Sequence, residues 1–418
     1  MSRALILNHN FREQGTWFRA RRIAEGLHRR GMDVLFVYTG EGWYRPRRTE
    51  SSPGWEAWET ASWSFRREPG HGSYPLALLQ RLAIARGRFD LVYTFSHFPA
   101  DQGVVRLLRP RTRFWLTDWC DLWNSTGGGL HDTRYWNRPL PPYLSGPRGL
   151  FVRTAYRLED AMESRAVLDA DAVSIIARPM RRRTRALGIP DRRVLHLPSG
   201  ADTETIRPLP AGECRAALGL PEDALVVGYV ASTTLDNRQL AAAMRIVWER
   251  QPRLVLLSAG PQWHSGDPVL RRAQSEGRFR HLGPRPFAEI PRVLGAADIL
   301  VMPLSDLPLN HCRWPNKFGD YLAAGRPVAT TRVGDMGRVV EHHRTGTAGP
   351  PSAEGLAKAI LSLVKNPELR RQCGEDARAF AEKHLDWEHQ IDRLLAFLAR
   401  RGLRRFGTPG VRTPPARS

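Results

Sequence analysis

The feature that most constrains the fold is a series of short apolar segments, each of strand length and each followed by a stretch of helical character. In the first half of the chain they are residues 4–8, 33–38, 90–95, 113–117, 172–177 and 194–198, and in the second half 224–231, 253–259, 298–303 and 327–331. The segments are apolar throughout rather than alternating, which is typical of strands covered on both faces. Such strands, alternating with helices, predict an α/β doubly wound fold with parallel sheets.

Two such series predict two domains, because 418 residues are long for a single core. Prolines at residues 207–210 interrupt the pattern, and the predicted boundary separates a domain at residues 1–205 from one at residues 206–385. A closing helix is predicted at residues 386–400. Residues 401–418 contain five arginines, three prolines and no acidic residue, which predicts a disordered basic tail.

Two segments, residues 41–75 and 124–149, show no clear periodicity. Long loops in α/β folds often surround binding sites, so we interpret both as irregular loops close to a site. Surface insertions without a role are the alternative.

The chain is strongly basic, with a net charge of +21, and only four of its 63 basic residues are lysine. The excess of positive charge is larger in residues 1–200, which contain 32 arginines and 19 acidic residues. A basic surface attracts phosphorylated substrates, anionic lipid or nucleic acid, and charge alone does not choose among them.

The sequence also indicates a compartment. No segment approaches the roughly 20 apolar residues of a membrane span, and no charged-then-apolar leader precedes the first strand. We therefore expect a cytoplasmic protein. The four cysteines are far apart and form no CxxC pair, so neither a zinc site nor a disulfide framework is indicated.

The strongest motif reads WPNKFGDYLAAGRPVATT, from Trp314 to Thr331. A polar loop leads into an amphipathic helix whose start, at Asn316 and Lys317, offers backbone N–H groups and a positive dipole end that suit a diphosphate. One turn into the helix, Asp320 is placed to accept hydrogen bonds from ribose hydroxyls. An ordinary surface helix is the alternative.

This motif resembles the donor-binding signature of retaining family-4 glycosyltransferases of the GT-B fold, in the subgroup that reads P-x-K-x-x-E-Y-L-A-A-G-x-P-V. Other segments agree in order, namely GADTETIRP at 200–208, VVGYVAS at 226–232, FAEIPRVLGAADILVMPLS at 287–305 and DWEHQIDRLLAFL at 386–398. The resemblance implies two Rossmann-like domains facing a central cleft, with an N-terminal acceptor domain and a C-terminal donor domain. It also implies transfer of a sugar from a nucleotide diphospho-sugar with retention at the anomeric carbon, in cell-envelope polysaccharide or glycoconjugate biosynthesis.

Departures from the family pattern affect the donor site. The second signature Glu falls at Asp320, but the first falls at Cys312, which cannot replace a carboxylate that grips sugar hydroxyls. Asp306 or His311 is the expected substitute. The family's phosphate-binding pair is reduced to one clear cation, Arg238.

Arg238 and Lys317 would together stabilise the charge that develops on the leaving diphosphate, and this arrangement predicts catalysis without a metal ion or cofactor. The chain does contain a D-x-D, formed by Asp169 and Asp171. It lies where a helix meets a buried strand, so we predict a structural role for it.

In the first domain, the Gly-containing loop after the first strand ends at Gly15 and Thr16, where the backbone can approach a phosphate or an acceptor closely. The resemblance implies a functional His after a later strand, where the sequence reads LTDWCDLW. Asp118 and Asp121 are the polar candidates there, with Asp121 the expected catalytic residue. His97 is a further candidate, and Trp119, Trp123, Tyr135 and Trp136 could stack on a sugar.

Three alternatives stay open: a nucleotide-sugar epimerase of the same fold, a non-catalytic member that only binds nucleotide sugar, and a nucleic-acid-binding protein. The last lacks any recognisable binding module, so no nucleic-acid partner is expected.

The basic first domain predicts contact with a membrane or a polyprenyl-phosphate acceptor. Arg19, Arg21, Arg22, Arg29 and Arg30 form one cluster, and Arg181, Arg182, Arg183 and Arg185 form a second. Solvated arginines that reflect genome composition are the alternative.

Overall fold

The computed structural model describes residues 2–41, 45–62, 75–123, 128–129, 146–231, 236–261 and 267–403. The chain divides into two compact units. The first consists of Met1–Pro198 with Trp387–Ser418, and the second of Ser199–Asp386. The chain thus passes between the units earlier than the prolines at residues 207–210 indicated. The disordered tail was predicted at residues 401–418. At residues 401–403 this prediction was wrong, because Leu403 is buried in the core of the first unit, and residues 404–418 lie outside the described residues.

The first unit contains an eight-stranded sheet. Its strands are β1 (Arg3–Leu7), β2 (Asp33–Thr39), β3 (Arg47–Ser52), β4 (Trp55–Thr60), β5 (Phe89–Thr94), β6 (Thr112–Trp119), β7 (Ala172–Ile175) and β8 (Val194–His196), and its helices up to this point are α1 (Trp17–Arg29), α2 (Pro75–Ile84), α3 (Pro99–Leu108), α4 (Gly146–Asp169) and α5 (Met180–Ala186). The strand order is β3-β4-β2-β1-β5-β6-β7-β8, and all neighbours are parallel except β3 and β4.

The second unit contains a six-stranded parallel sheet. Its strands are β9 (Val226–Val230), β10 (Val255–Ala259), β11 (Phe279–His281), β12 (Ile299–Met302), β13 (Val328–Thr331) and β14 (Gly346–Gly349), and its helices are α6 (Ala211–Ala217), α7 (Asn237–Arg250), α8 (Pro268–Ser275), α9 (Ile290–Gly295), α10 (Pro308–His311), α11 (Asn316–Ala323), α12 (Gly334–His342), α13 (Ala353–Lys365) and α14 (Pro367–Phe380). The strand order is β11-β10-β9-β12-β13-β14. The predicted pair of Rossmann-like α/β domains is therefore confirmed.

The prediction of an irregular segment at residues 41–75 was wrong, because β3 and β4 form a hairpin there. The hairpin turns at Gly54, whose φ of +72° is a left-handed conformation that glycine adopts without strain. In β4 the buried Trp55 and Ala57 alternate with partly exposed residues, and β3 is an almost wholly polar edge strand. Neither has the continuous apolar run by which ten of the other strands were recognised.

A π-helical turn at Ala381–Leu385 leads into the last described helix, α15 (Trp387–Ala399). This helix belongs to the first unit, where Ile391, Leu394 and Leu398 share an apolar core with Ile23 and Leu27 of α1. The two helices approach closely at Gly26, where an added Cβ would lie 2.3 Å from Ile391 Cγ1. Ion pairs from Arg29 and Arg30 to Glu388 flank the contact.

We expect Gly26→Ala to lower the melting temperature, because the added methyl overlaps Ile391 and overpacking of this kind costs about 1–3 kcal/mol. Gly212→Ala is the matched control, since Gly212 is also helical and a Cβ there would meet nothing nearer than 3.9 Å. Equal melting temperatures for the two variants in calorimetry would contradict a tight α1–α15 contact.

Candidate functional site

The second unit has its topological switch point between β9 and β12, because β10 and β11 continue on one side of this pair and β13 and β14 on the other. Ligands of doubly wound sheets bind beyond the carboxyl ends of the strands at such a point. Several polar side chains gather there, on the segments that follow β9 and β12 and on the first turn of α11.

Helix α11 is fixed to the end of β9 by one side chain. The Tyr321 hydroxyl accepts a hydrogen bond from Val230 N at 2.8 Å and donates one to Val230 O at 3.1 Å. Pro315 precedes the helix and no side chain caps it. The helix start, with its positive dipole end, therefore lies beside the strand end.

Lys317, in the first turn of α11, is partly buried, and its Nζ lies 4.4 Å from the centre of the Tyr229 ring. Burial, with a smaller contribution from the Arg313 charge, lowers the pKa of this amine from 10.5 to about 7, and Asp236 opposes the shift. Lys317 is thus poised to gain a proton when an anion approaches.

Asp236 balances this positive charge. It is buried directly before α7, forms an ion pair with Arg313, and accepts hydrogen bonds from Asn310 Nδ2 at 3.2 Å and Ser305 N at 3.5 Å. Sequence reasoning missed Asp236, Arg313 and Asn310. Asp236 lies two residues before Arg238, and Arg313 lies between Cys312 and the motif that begins at Trp314, so both are close to residues that the sequence did indicate.

The predicted donor residues of the second unit also lie on the segments that follow β9 and β12. His311 Nδ1 accepts a hydrogen bond from Gly334 N at 3.2 Å, so its Nε2 carries the proton that it shares with Asp306 Oδ1 at 2.6 Å. Asp306 is exposed, and Asn316 and Asp320 are partly buried in α11. Arg238 is exposed on the first turn of α7.

In the first unit, the loop after β1 is held together by its own amides. Asn8 Nδ2 donates to Thr16 Oγ1 at 2.9 Å, and Asn10 Oδ1 accepts from Thr16 N at 3.1 Å. Gly15 has a φ of +51°, and a Cβ there would lie 2.8 Å from Asn10 Nδ2. Gly15 and Thr16 therefore shape the loop.

Asp118 has a structural role. It is buried and forms an ion pair with Arg19 at 2.8 Å, and Tyr93 Oη and Ser174 Oγ also hydrogen-bond to it. The prediction that Arg19 belongs to a surface cluster was therefore wrong, because Arg19 is 1% exposed. Asp121, three residues later, is partly buried.

Nearby aromatic candidates pack in the same unit. Trp119 Nε1 donates to the buried Glu163 at 2.7 Å, and the Arg183 guanidinium lies 5.4 Å from the Trp119 ring. His97 is buried against Phe98 and Trp123. Tyr135 and Trp136 lie outside the described residues.

Most of the remaining cluster arginines are paired with carboxylates. Arg21 and Arg22 pair with Glu25, Arg29 and Arg30 with Glu388, and Arg181 and Arg185 with Asp191. Both carboxylates of the D-x-D also form ion pairs. Asp169 pairs with Arg106 and with Arg165, and Asp171 pairs with Arg109. Within the described ranges, no group of three or more His, Cys, Asp or Glu side chains is arranged to hold a metal ion, and no helix is long and apolar enough to cross a membrane.

Two family descriptions match the chain. "Glycosyl transferase 4-like domain" matches residues 14–200, and "Glycosyl transferases group 1" matches residues 223–366. Among curated relatives, D-inositol 3-phosphate glycosyltransferases from Saccharomonospora viridis and Corynebacterium glutamicum are 28% identical over 214 residues and 30% identical over 196 residues. These alignments cover 47% and 43% of this chain, and the chain spans about half the length of the relatives, at 47% and 45%.

Solved structures extend the likeness in fold to the whole chain. Sucrose-phosphate synthase from Thermosynechococcus elongatus has a TM-score of 0.71 at 18% identity, covering 97% of this chain and all of that one. Anabaena Alr3699/HepE in complex with UDP-glucose has a TM-score of 0.64 at 15% identity, covering 96% of this chain and 100% of that one.

The two matched domains and these neighbours define a GT-B fold. The chain belongs to the family-4-like glycosyltransferases of that fold, with a 4-like first domain and a group 1 second domain.

We expect Asp236→Asn to destabilise the second unit by about 3–5 kcal/mol, since removing one partner of a buried pair leaves Arg313 and Lys317 uncompensated. Adding Lys317→Met should restore part of the loss, because it removes the second positive charge. Additive effects of the two substitutions in urea unfolding, without any recovery, would show that the three charges are not coupled.

Proposed function

We propose that this protein transfers a sugar from a nucleotide diphospho-sugar to an acceptor. The observation that carries the proposal is the cluster of Lys317, Arg313 and Asp236 beside the start of α11, at the switch point of the second sheet. Two cations and one buried carboxylate leave one positive charge, which together with the proposed Arg238 guanidinium would balance the two negative charges of a bound diphosphate. The UDP-glucose complex of the structurally similar Anabaena protein supports the choice of donor.

The proposed roles follow from position. Lys317 and Arg238 bind the diphosphate and stabilise the charge that develops on it as the glycosidic bond breaks. The first-turn N–H groups from Asn316 add to that binding, and Asp320 holds the ribose hydroxyls. The hydrogen-bonded pair of Asp306 and His311 contacts the sugar in place of the carboxylate missing at Cys312. In the first unit, Gly15 and Thr16 are proposed to bind the donor and Asp121 to act in catalysis.

We further propose that the reaction needs no divalent ion and retains the anomeric configuration. The cationic cluster supports the first statement, since it supplies the charge that a metal would otherwise supply. The family resemblance supports the second.

With the true acceptor, EDTA should leave turnover unchanged, and NMR of the first-formed product should show the donor's anomeric configuration. Rescue of EDTA-inhibited enzyme by manganese or magnesium would refute metal independence, and an inverted product would refute retention.

A non-catalytic nucleotide-sugar-binding protein is the second candidate, because Cys312 stands where the family has a carboxylate. An epimerase of the same fold is the third. Purified protein that binds the donor but neither hydrolyses nor transfers its sugar would favour the second. Interconversion of the nucleotide sugar itself would favour the third.

Donor binding should depend on the protonation of Lys317. A diphosphate favours the ammonium form, so binding above pH 7 takes up a proton and the affinity for a UDP-, GDP-, ADP- or dTDP-sugar should fall by up to about tenfold per pH unit as the pH rises from 7 towards 9. Lys317→Arg is charged throughout this range, so its affinity should not change with pH.

Titration calorimetry at pH 6 and pH 9 measures this difference, after a thermal-shift screen has identified the donor. Lys358→Ala, at an exposed helical lysine, is the control and should behave as wild type. A wild-type affinity that does not vary with pH would exclude Lys317 from the diphosphate site.

The acceptor is proposed to be anionic, and a polyprenyl phosphate at the inner face of a membrane is one source of such a group. Most arginines of the two predicted clusters already pair with carboxylates, so few of them remain to contact an anionic acceptor. A different set of arginines in the first unit is better placed for it.

A further inference from the structure

A cavity of about 570 Å³ opens in the first unit beyond the carboxyl ends of β2 and β4. Its described lining consists of three arginines, two glutamates, a glycine and a proline, namely Arg12, Arg45, Arg47, Glu41, Glu59, Gly40 and Pro46. None of these residues was singled out in the sequence. Three guanidinium groups around one cavity point to an anionic ligand.

Arg12 lies in the loop after β1, which is held in place by hydrogen bonds. The loop that carries it contains two left-handed residues, Glu13 with a φ of 60° and Gly15 with a φ of 51°, and the Asn8 and Asn10 amides fix both of its ends. Thr39 N donates to Asn10 O at 3.2 Å and so ties the loop to the end of β2. Arg12 itself is 56% exposed, with Glu13 at 3.6 Å, so its guanidinium remains accessible to a ligand.

The floor of the cavity is also fixed. Gly40 N donates to Thr60 O at 2.9 Å and joins the ends of β2 and β4. A Cβ at Gly40 would lie 2.6 Å from Glu59 Cβ, so only glycine fits between the strand ends. Glu59 in turn accepts from Arg47 at 2.9 Å and from Tyr38 Oη at 3.3 Å.

The charged side chains that line the cavity therefore differ in how far they are already neutralised by a partner. Glu59 is 13% exposed and neutralises Arg47. Arg12 and Arg45 are exposed, and Glu41 is an exposed carboxylate at the rim. Two guanidiniums can form charge-assisted hydrogen bonds to a phosphate, while the carboxylates can accept hydrogen bonds from hydroxyl groups.

We propose that this cavity binds the acceptor through a phosphate group carried on a polyhydroxylated body, with Arg12 and Arg45 holding the phosphate. The assignment to the acceptor rests on the proposed function, because the donor cluster lies in the other unit. The phosphate could belong to a free sugar or polyol phosphate or to a lipid headgroup.

Binding is measured by titration calorimetry on the full chain, with glucose 6-phosphate and myo-inositol 1-phosphate as soluble probes and with vesicles containing a phosphoinositide as the lipid probe. The variants are Arg12→Gln with Arg45→Gln, and the control is Arg111→Gln, an exposed arginine at the amino end of β6. The double variant should lose at least tenfold in affinity for whichever probe binds, the control should not, and added salt should weaken wild-type binding.

Binding of a soluble probe that the double variant loses supports a soluble acceptor, and vesicle binding alone that the double variant loses supports a headgroup. Equal binding by wild type and double variant, or no binding of either probe by wild type, overturns the proposal. The thermal shift with the nucleotide sugar serves as an independent readout. The thermal shift with the nucleotide sugar should be the same in the double variant as in wild type. If wild type shows no such shift, the donor proposal is refuted, while the proposal for the cavity is unaffected.

Discussion

The geometry of the cluster formed by Lys317, Arg313 and Asp236 depends on the hydroxyl group of Tyr321. This hydroxyl bonds both backbone groups of Val230, the last residue of β9, and so fixes a helix to the end of a central strand. Strand ends at a sheet edge leave backbone groups without ladder partners, and burying them unpaired is unfavourable. Tyr321 satisfies Val230 while holding the start of α11 beside it. Lys317, one helical turn earlier, is thereby placed over Tyr229.

The same placement creates a charge that the unit balances only in part. Lys317 and Arg313 are both close to Asp236, and an ammonium group at this depth loses much of its hydration. The amine is therefore divided between its charged and neutral forms near neutral pH. An anion that binds there gains from a site whose side chains are already held in position, because Arg313 and Asn310 are fixed by Asp236 before any ligand arrives.

The sequence was sufficient for the parts of the fold that rest on continuous burial. Ten strands were recognisable because both faces of each are covered, whereas β3, β11 and β14 are short or polar and β4 alternates, so their pairing depends on neighbours that are distant in sequence. In the site, Lys317 and Asp320 could be found because they stand in a motif with fixed spacing. Asp236 and Arg313 are 77 residues apart, and only the packing of β9 against β12 reveals them as a pair.

The limit of prediction from sequence is clearest for arginine, because nearly every positively charged residue of this chain is an arginine. Arg19 and Arg81 are buried ion-pair partners of Asp118 and Asp101 and join distant parts of the first unit. Such pairs contribute mainly to a unique arrangement, since the cost of removing both charges from water offsets most of their attraction. An arginine on a predicted helix therefore indicates neither surface nor function by its type. What separates Arg12 and Arg45 from Arg19 is the absence of a buried carboxylate among their described contacts, and that difference exists only once the loop after β1 and the ends of β2 and β4 are folded together.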